Sequence, residues 1–268
     1  MNARHDHHRH DHHGHDHGQP AATRPGLLRL DNLTLTYHRH PVVHHVSGSF
    51  AAGRTTAIVG PNGAGKSTLM KALAGLMAPH HGRVERGALK PRELAYLPQQ
   101  AAIARDFPLS VLDVVLLGDW RGSGWFGRVS RTARANAETA LERVGLAGFG
   151  ARSLDELSAG QFQRVLFARL LLQDAKVILL DEPFTALDAR TTADLLGLVA
   201  AWHGEGRTVI AVLHDYEQVR SHFAETLLLA KECIAWGPTA EVLTPTNLAR
   251  ANGVPVGWDE RAPVCGRP

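Results

Sequence analysis

The sequence has no apolar run long enough to cross a membrane. A membrane-spanning helix needs about 20 consecutive, mostly apolar residues, whereas the longest apolar runs here, such as residues 177–180, have the length of a strand. The N-terminal segment also lacks the apolar core of a secretory signal, because it is polar as far as Pro25. We therefore expect the chain to stay in the cytoplasm.

Cysteine is scarce, and the net charge is small. Cys233 and Cys265 are too few for a disulfide framework and do not form a paired metal-binding motif, which fits a reducing compartment. The formal charge of +3 and the scattered basic residues argue against nucleic-acid binding. What remains is an ordinary globular composition in 268 residues, which is enough for one substantial domain with a buried core.

Residues 1–26 differ sharply in composition from everything that follows, because histidine dominates them. With nothing apolar to bury, this segment is expected to be disordered. Neutral imidazole is a good ligand for Zn²⁺ and Ni²⁺, so the segment predicts binding of zinc or nickel. The alternative is a solvated low-complexity tail or a purification tag, although the interspersed Asp and Gly residues argue against a tag. The candidate ligands are His5, His7, His8, His10, His12, His13, His15 and His17.

From residue 27 the pattern is that of a folded domain in which strands alternate with helices. Residues 67–74 have the spacing of a helix. The alternation predicts an α/β sheet, with a helical insertion within residues 110–175. After about residue 241 the pattern fades, and the prolines there predict an irregular tail over residues 241–268. The predicted strands include residues 33–37, 56–60, 176–181 and 208–214.

Residues 60–67 match the phosphate-binding loop G-x-x-x-x-G-K-[ST] in full. Backbone N–H groups can surround several phosphates only where side chains stay out of the way, and the following helix directs its positive end at them. Lys66 is expected to reach the β- and γ-phosphates, and the Ser67 hydroxyl to ligate Mg²⁺. The predicted ATP-binding residues here are Gly60, Pro61, Asn62, Gly63, Ala64, Gly65, Lys66, Ser67 and Thr68.

A second apolar strand ends in two adjacent carboxylates, Asp181 and Glu182. In a parallel sheet this strand end faces the ligand. Asp181 is predicted to bind ATP through Mg²⁺, and Glu182 to orient and deprotonate the attacking water.

Residues 157–164, LSAGQFQR, closely resemble the signature peptide of ABC ATPases. Other landmarks of that family occur in its order: Tyr37, the phosphate loop, Gln99, the signature, Asp181–Glu182, Ala186–Asp188 and His214. The resemblance covers about residues 27–240. It implies a P-loop ABC-type nucleotide-binding domain with a RecA-like core, an antiparallel β subdomain and a helical signature-motif subdomain at about residues 101–165.

The resemblance also implies a homodimer in which two ATPase subunits pair head to tail around two ATP molecules. Tyr37 would stack on adenine, Gln99 would contact Mg²⁺ or the lytic water, and His214 would contact the γ-phosphate. Catalysis would rest on Glu182, His214, Gln99 and Lys66, and Mg²⁺ on Ser67, Gln99 and Asp181. Ala159 stands where the family most often has glycine, and an active signature is still expected. The residues that would act on the opposite subunit's ATP are Ser158, Ala159, Gly160, Gln161 and Asp188.

Residues 106–118, 128–133 and 141–146 resemble metal-uptake cassettes for zinc, manganese or iron. This implies an ATPase that energises import of a divalent metal, with zinc the first candidate. Its partners would be an integral membrane permease, holding it at the inner face of the cytoplasmic membrane, and a periplasmic or extracellular metal-binding protein. The alternatives are an importer of an iron–siderophore or another chelate, and a non-transport ABC ATPase. A histidine-rich metal store with a vestigial nucleotide site is a further reading, which the intact motifs disfavour.

Overall fold

The structure, a computed structural model, describes residues 26–37, 40–99, 108–119 and 129–254. Its larger sheet has the strand order β5-β6-β7-β3-β8-β9. Neighbouring strands are parallel, except that β9 runs antiparallel to β8. The strands are β3 (Thr55–Val59), β5 (Leu94–Leu97), β6 (Val177–Asp181), β7 (Thr208–Val212), β8 (Glu225–Ala230) and β9 (Glu232–Pro238).

The central strands of this sheet are covered on both faces. Every residue of β3, β6 and β7 is buried, as expected for short, continuously apolar strands in a parallel sheet. Because these strands are parallel, their carboxyl ends meet at one edge. Four of the predicted site segments lie at this edge. The phosphate loop, Gln99 and His214 follow β3, β5 and β7, and Asp181 is the last residue of β6, with Glu182 directly after it.

A smaller antiparallel sheet lies against the larger one. It consists of β1 (Gly26–Tyr37), β2 (His40–Ala51) and β4 (His81–Glu85), in the order β2-β1-β4. Leucines of β1 and the first helix, α1 (Lys66–Leu73), share one hydrophobic core with residues of β6, β7 and β8. A short 3-10 helix, Pro91–Glu93, leads into β5.

Helices on the other side of the sheet surround a second core. Polar residues cap most of them: Ser110, Ser130, Ser158, Asp188 and Asp215 each accept a hydrogen bond from the first turn. α4 packs on α2, α3 and α5. The helices are α2 (Val111–Leu116), α3 (Arg131–Arg143), α4 (Ala159–Gln173), α5 (Ala189–Gly204) and α6 (Tyr216–His222).

The segment after β9 is helical, so the prediction of an irregular tail from residue 241 is wrong for residues up to 253. It forms α7 (Thr239–Val242) and α8 (Pro245–Gly253). Pro245 begins α8 instead of breaking it, because a proline in the first turn loses no hydrogen bond, and the Thr244 hydroxyl caps the helix. Val242, Leu243 and Ala251 are buried against the second core.

The structure confirms the predicted α/β class with an antiparallel sheet and a helical part. Among the helices within the described ranges, none is long and apolar enough to span a membrane. The histidine-rich N-terminal segment lies outside the described residues, and so do residues 255–268. The same holds for two parts of the expected helical subdomain, residues 100–107 and 120–128.

Candidate nucleotide-binding site

Two glycines of the phosphate loop lie where no side chain fits. Gly60 has φ 149°, and a Cβ atom there would lie 1.8 Å from the Leu229 carbonyl oxygen. Gly65 has φ 93°, and its Cβ would lie 2.4 Å from the carbonyl oxygen of Val42. The loop therefore packs closely on the backbone of β8 and β2, along a path that only glycine allows at these two positions. This is the cradle that closely packed phosphates require.

Lys66 provides a buried positive charge inside this cradle. Its side chain is 5% exposed, and Nζ donates to the carbonyl oxygens of Gly60 at 2.9 Å and Pro61 at 3.0 Å. Burial lowers the pKa of Lys66, and the carboxylates of Glu182 and Asp181 raise it in part. A desolvated ammonium group at the start of a helix suits the β- and γ-phosphates of a nucleotide.

Asp181 is held by a hydroxyl group on each side. Its Oδ1 accepts from Ser67 Oγ at 3.0 Å, and its Oδ2 accepts from the Tyr96 hydroxyl at 3.3 Å. Burial is the main cause that raises the pKa of Asp181, and the Glu182 carboxylate adds to it, while the two hydroxyl groups oppose the shift. A hydroxyl and a carboxylate oxygen this close are hard oxygen ligands of the kind Mg²⁺ prefers. The residues present therefore fit a magnesium site.

Glu182 lies at the centre of a polar cluster. Its Oε1 is 2.7 Å from His214 Nε2, and its Oε2 accepts from Gln99 Nε2 at 3.0 Å and from Thr185 Oγ1 at 3.4 Å. Glu182 has φ 51°, a left-handed conformation that is uncommon for a residue with a side chain. The structure thus brings together three of the four predicted catalytic residues, Glu182, His214 and Gln99.

Tyr96 and Thr185 were not identified from the sequence. Tyr96 pairs with Leu179 across the parallel strands β5 and β6. Alternate residues of a strand lie on the same face. Asp181, two residues after Leu179, therefore lies on the same face of the sheet as Tyr96. The signal was present, but it depends on a register that the sequence does not reveal.

Tyr37 ends β1 with 37% of its surface exposed. An exposed aromatic face there is available for stacking on a base. The structure describes neither of the two residues that follow it.

The signature residues form the beginning of α4. Ser158 accepts from Gln161 N at 3.2 Å, and the Gln161 side chain accepts from Ser158 N at 3.0 Å, which is a capping box. Ala159 begins the helix without disturbing this cap. Asp188 caps α5, and its carboxylate accepts from Thr191 N and from Thr191 Oγ1, each at 2.8 Å. A Cβ at Gly160 would lie 3.3 Å from Thr191 Oγ1, so the two helix starts are adjacent.

Gln163 connects this helix with the loop that carries Glu182. Its side chain is 3% exposed, and Nε2 donates to the carbonyl oxygen of Pro183 at 2.8 Å. The sequence does not mark Gln163 as a site residue, because its burial and its contact with Pro183 become visible only in the packed structure.

No group of three or more His, Cys, Asp or Glu residues suited to a metal ion occurs within the described ranges. The predicted zinc ligands His5 to His17 lie outside them and stay a prediction.

Comparison with known proteins identifies the family. The family model described as ABC transporter matches residues 43–185. The chain is 40% identical to the zinc transport system ATP-binding protein TroB of Treponema pallidum, over 84% of this chain and 86% of the relative. It is 38% identical to the manganese transport system ATP-binding protein MntB of Halalkalibacterium halodurans, over 84% of this chain and 91% of that protein.

Solved structures agree with the sequence comparison. A metal-chelate type ABC transporter in an inward-facing conformation superposes with a TM-score of 0.76 at 30% identity, covering 84% of this chain and 88% of that one. The dimeric cassette MJ0796, bound to ADP and phosphate, gives a TM-score of 0.69 at 27% identity, covering 79% of this chain and 98% of that one. The chain therefore belongs to the ABC transporter family, as one of its ATP-hydrolysing cassettes.

Proposed function

We propose that this ATPase energises the uptake of a divalent metal ion, with Zn²⁺ as the first candidate cargo. The observation that carries the proposal is the arrangement around Glu182 and Asp181, in a chain whose relatives are named for zinc and manganese transport. A phosphate loop, a candidate magnesium site and a candidate general base in one place argue for an energy-converting role.

In the proposed reaction, the loop backbone and Lys66 bind the β- and γ-phosphates. Ser67, Asp181 and Gln99 would hold Mg²⁺, which neutralises phosphate charge when it is bound. Glu182 is the general base: its carboxylate orients the attacking water and takes up its proton. The Nε2 atom of His214, 2.7 Å from Glu182 Oε1, holds that carboxylate in place, and His214 would contact the γ-phosphate.

Each site is completed by the second subunit of a homodimer. Ser158 and Gly160 offer a hydroxyl and N–H groups at the start of α4, where the helix dipole favours an anion. They would act on the γ-phosphate that is bound to the opposite subunit. Ala159 and Gln161 belong to the same turn, and Asp188 at the start of the adjacent α5 would connect the two sites.

The cargo assignment favours zinc on chemical grounds. The zinc-transport relative and the manganese-transport relative have nearly the same percentage of residues identical to this chain. Sequence identity therefore does not decide between the two metals. Imidazole suits Zn²⁺, whereas Mn²⁺ prefers oxygen ligands, and the N-terminal segment is rich in histidine. A metal chelate is the second candidate, because a similar solved structure is a metal-chelate type transporter.

The partner would be a membrane permease that holds the cassette at the inner face of the membrane, and a cavity of about 660 Å³ offers a docking place for it. The cavity lies between the 3-10 helix before β5, the end of α2 and the C-terminal end of α4. Leu117 at its edge is 50% exposed. The guanidinium of Arg169, which lines the cavity, donates to the Tyr96 carbonyl oxygen at 3.3 Å.

Cells that lack this chain provide the test of function. Their metal content is measured during growth under limiting zinc, manganese or iron in turn. We expect a selective zinc deficit that the wild-type chain restores and Glu182→Gln does not. A deficit in another metal would keep the transporter and change its cargo, and an unchanged content of all three in a strain without a second importer would overturn the proposal.

A further inference from the structure

The carboxylate of Asp181 is fixed from two sides, and only one of the two donors belongs to the recognised motifs. Ser67, in the phosphate loop, donates to Oδ1 at 3.0 Å. Tyr96, on β5, donates to Oδ2 at 3.3 Å. The terminal torsion of an aspartate is soft and roughly two-fold, so one donor leaves the plane of the carboxylate free to turn. Hydrogen bonds to both oxygens fix the orientation of the carboxylate plane.

The backbone and the core determine where the Tyr96 hydroxyl points. β5 pairs in parallel with β6 over four residues, and Tyr96 is opposite Leu179. The Tyr96 ring packs at the margin of the hydrophobic core beneath the phosphate loop. The ring is rigid and reaches Asp181 from the adjacent strand, whereas Ser67 reaches it from the phosphate loop.

We propose that Tyr96 is a positioning residue for the magnesium site: its hydroxyl group orients Asp181 so that the carboxylate receives Mg²⁺ when MgATP binds. This inference rests on the nucleotide site proposed above and adds a residue outside its motifs. Ser67 is itself a predicted magnesium ligand, so its oxygen would be shared with the ion in the loaded site. Tyr96 is not a predicted magnesium ligand, so its hydroxyl group would stay available to Asp181 when Mg²⁺ binds.

The alternative is that Tyr96 only fills space. A buried hydroxyl without a partner is unfavourable, so phenylalanine would serve a filling role at least as well. The two readings therefore predict opposite results for Tyr96→Phe, which removes one oxygen atom and keeps the ring.

The test measures the affinity of full-length chain for a fluorescent ATP analogue, once with excess Mg²⁺ and once with EDTA. We expect Tyr96→Phe to bind the nucleotide normally in EDTA and to lose about 3–10-fold in affinity with Mg²⁺, as for removal of one hydrogen bond of ordinary strength. The Mg²⁺ concentration for half-maximal binding rises by a similar factor. Tyr216→Phe, which removes a hydroxyl group from the start of α6, is the matched control and is expected to behave as the wild type.

A Tyr96→Phe chain with the wild-type response to Mg²⁺ overturns the inference. Equal losses with Mg²⁺ and with EDTA overturn it too, because they indicate a general effect on the fold or on the nucleotide. Thermal unfolding without ligand checks folding. If the wild-type chain binds the nucleotide equally well with Mg²⁺ and with EDTA, the proposed magnesium site is contradicted. If it binds the nucleotide under neither condition, the proposed nucleotide site is contradicted, which is a different outcome. In an Asp181→Asn background, Tyr96→Phe is expected to have no further effect on the Mg²⁺ response.

Discussion

Glu182 shows how much of the site depends on single side chains. Gln99, Thr185 and His214 all lie within 3.4 Å of its carboxylate oxygens, and each comes from a different segment of the chain. Family motifs in the sequence had marked two of these three residues, Gln99 and His214, as candidate members of the same site. Thr185 was missed because its role follows from the turn after Glu182, in which Glu182 itself has a positive φ.

Glu182→Gln is expected to bind ATP but to hydrolyse it about 10²–10⁴-fold more slowly, because the amide cannot take the proton of the attacking water. The ATP that is not hydrolysed should hold two subunits together as a stable dimer. Steady-state ATPase assays and size-exclusion chromatography with ATP measure both effects. Glu217→Gln, at a glutamate that is 88% exposed, is the matched control. Rapid turnover in Glu182→Gln would remove Glu182 from the catalytic role.

Lys66→Ala is expected to weaken ATP binding by about 10–100-fold, because it removes charge-assisted hydrogen bonds to the phosphates. Equilibrium binding of a labelled nucleotide measures the loss. Lys90→Ala, at an exposed lysine, should leave affinity unchanged. Wild-type affinity in Lys66→Ala would contradict the assignment of the phosphate loop.

The phosphate loop is an element whose shape could be predicted, whereas its surroundings could not. The glycine spacing indicated a cradle, but the reason Gly60 must be glycine is the Leu229 carbonyl on β8, far along the chain. The C-terminal helices show the reverse. From the sequence, Pro245 predicts the end of regular structure. The Thr244 cap and the burial of Ala251 show that Pro245 instead begins a helix.

Gly60→Ala is expected to destabilise the fold by about 2–4 kcal/mol, since the added methyl group meets a backbone carbonyl and the positive φ is strained. Gly197→Ala is the matched control. Gly197 lies within α5 with nothing within 4 Å of its added Cβ, and alanine there should stabilise by about 0.5–1 kcal/mol. Denaturant unfolding measures both changes, and equal stability of the two variants would contradict the packing described for the loop.

The whole chain combines this cassette with a histidine-rich segment that the structure does not describe. Full-length chain is expected to bind Zn²⁺ with an affinity that falls as the pH drops through the histidine range, because protons compete for the ring nitrogens. A chain that begins at Gln19 is the control. Isothermal titration with Zn²⁺ compares the two, and equally tight binding by the shortened chain would exclude the segment as a zinc site.

The most direct test of the account asks whether each ATP lies between two subunits, with Lys66 from one and Ser158 from the other. Lys66→Ala and Ser158→Arg chains, each also carrying Glu182→Gln and each checked for folding by circular dichroism, are tested separately and then mixed with ATP. Neither chain should form a dimer alone. The mixture should form dimers that hold one ATP each, because one of the two shared sites then has an intact loop and an intact signature. No dimers in the mixture, or dimers of either chain alone, would contradict the head-to-tail arrangement.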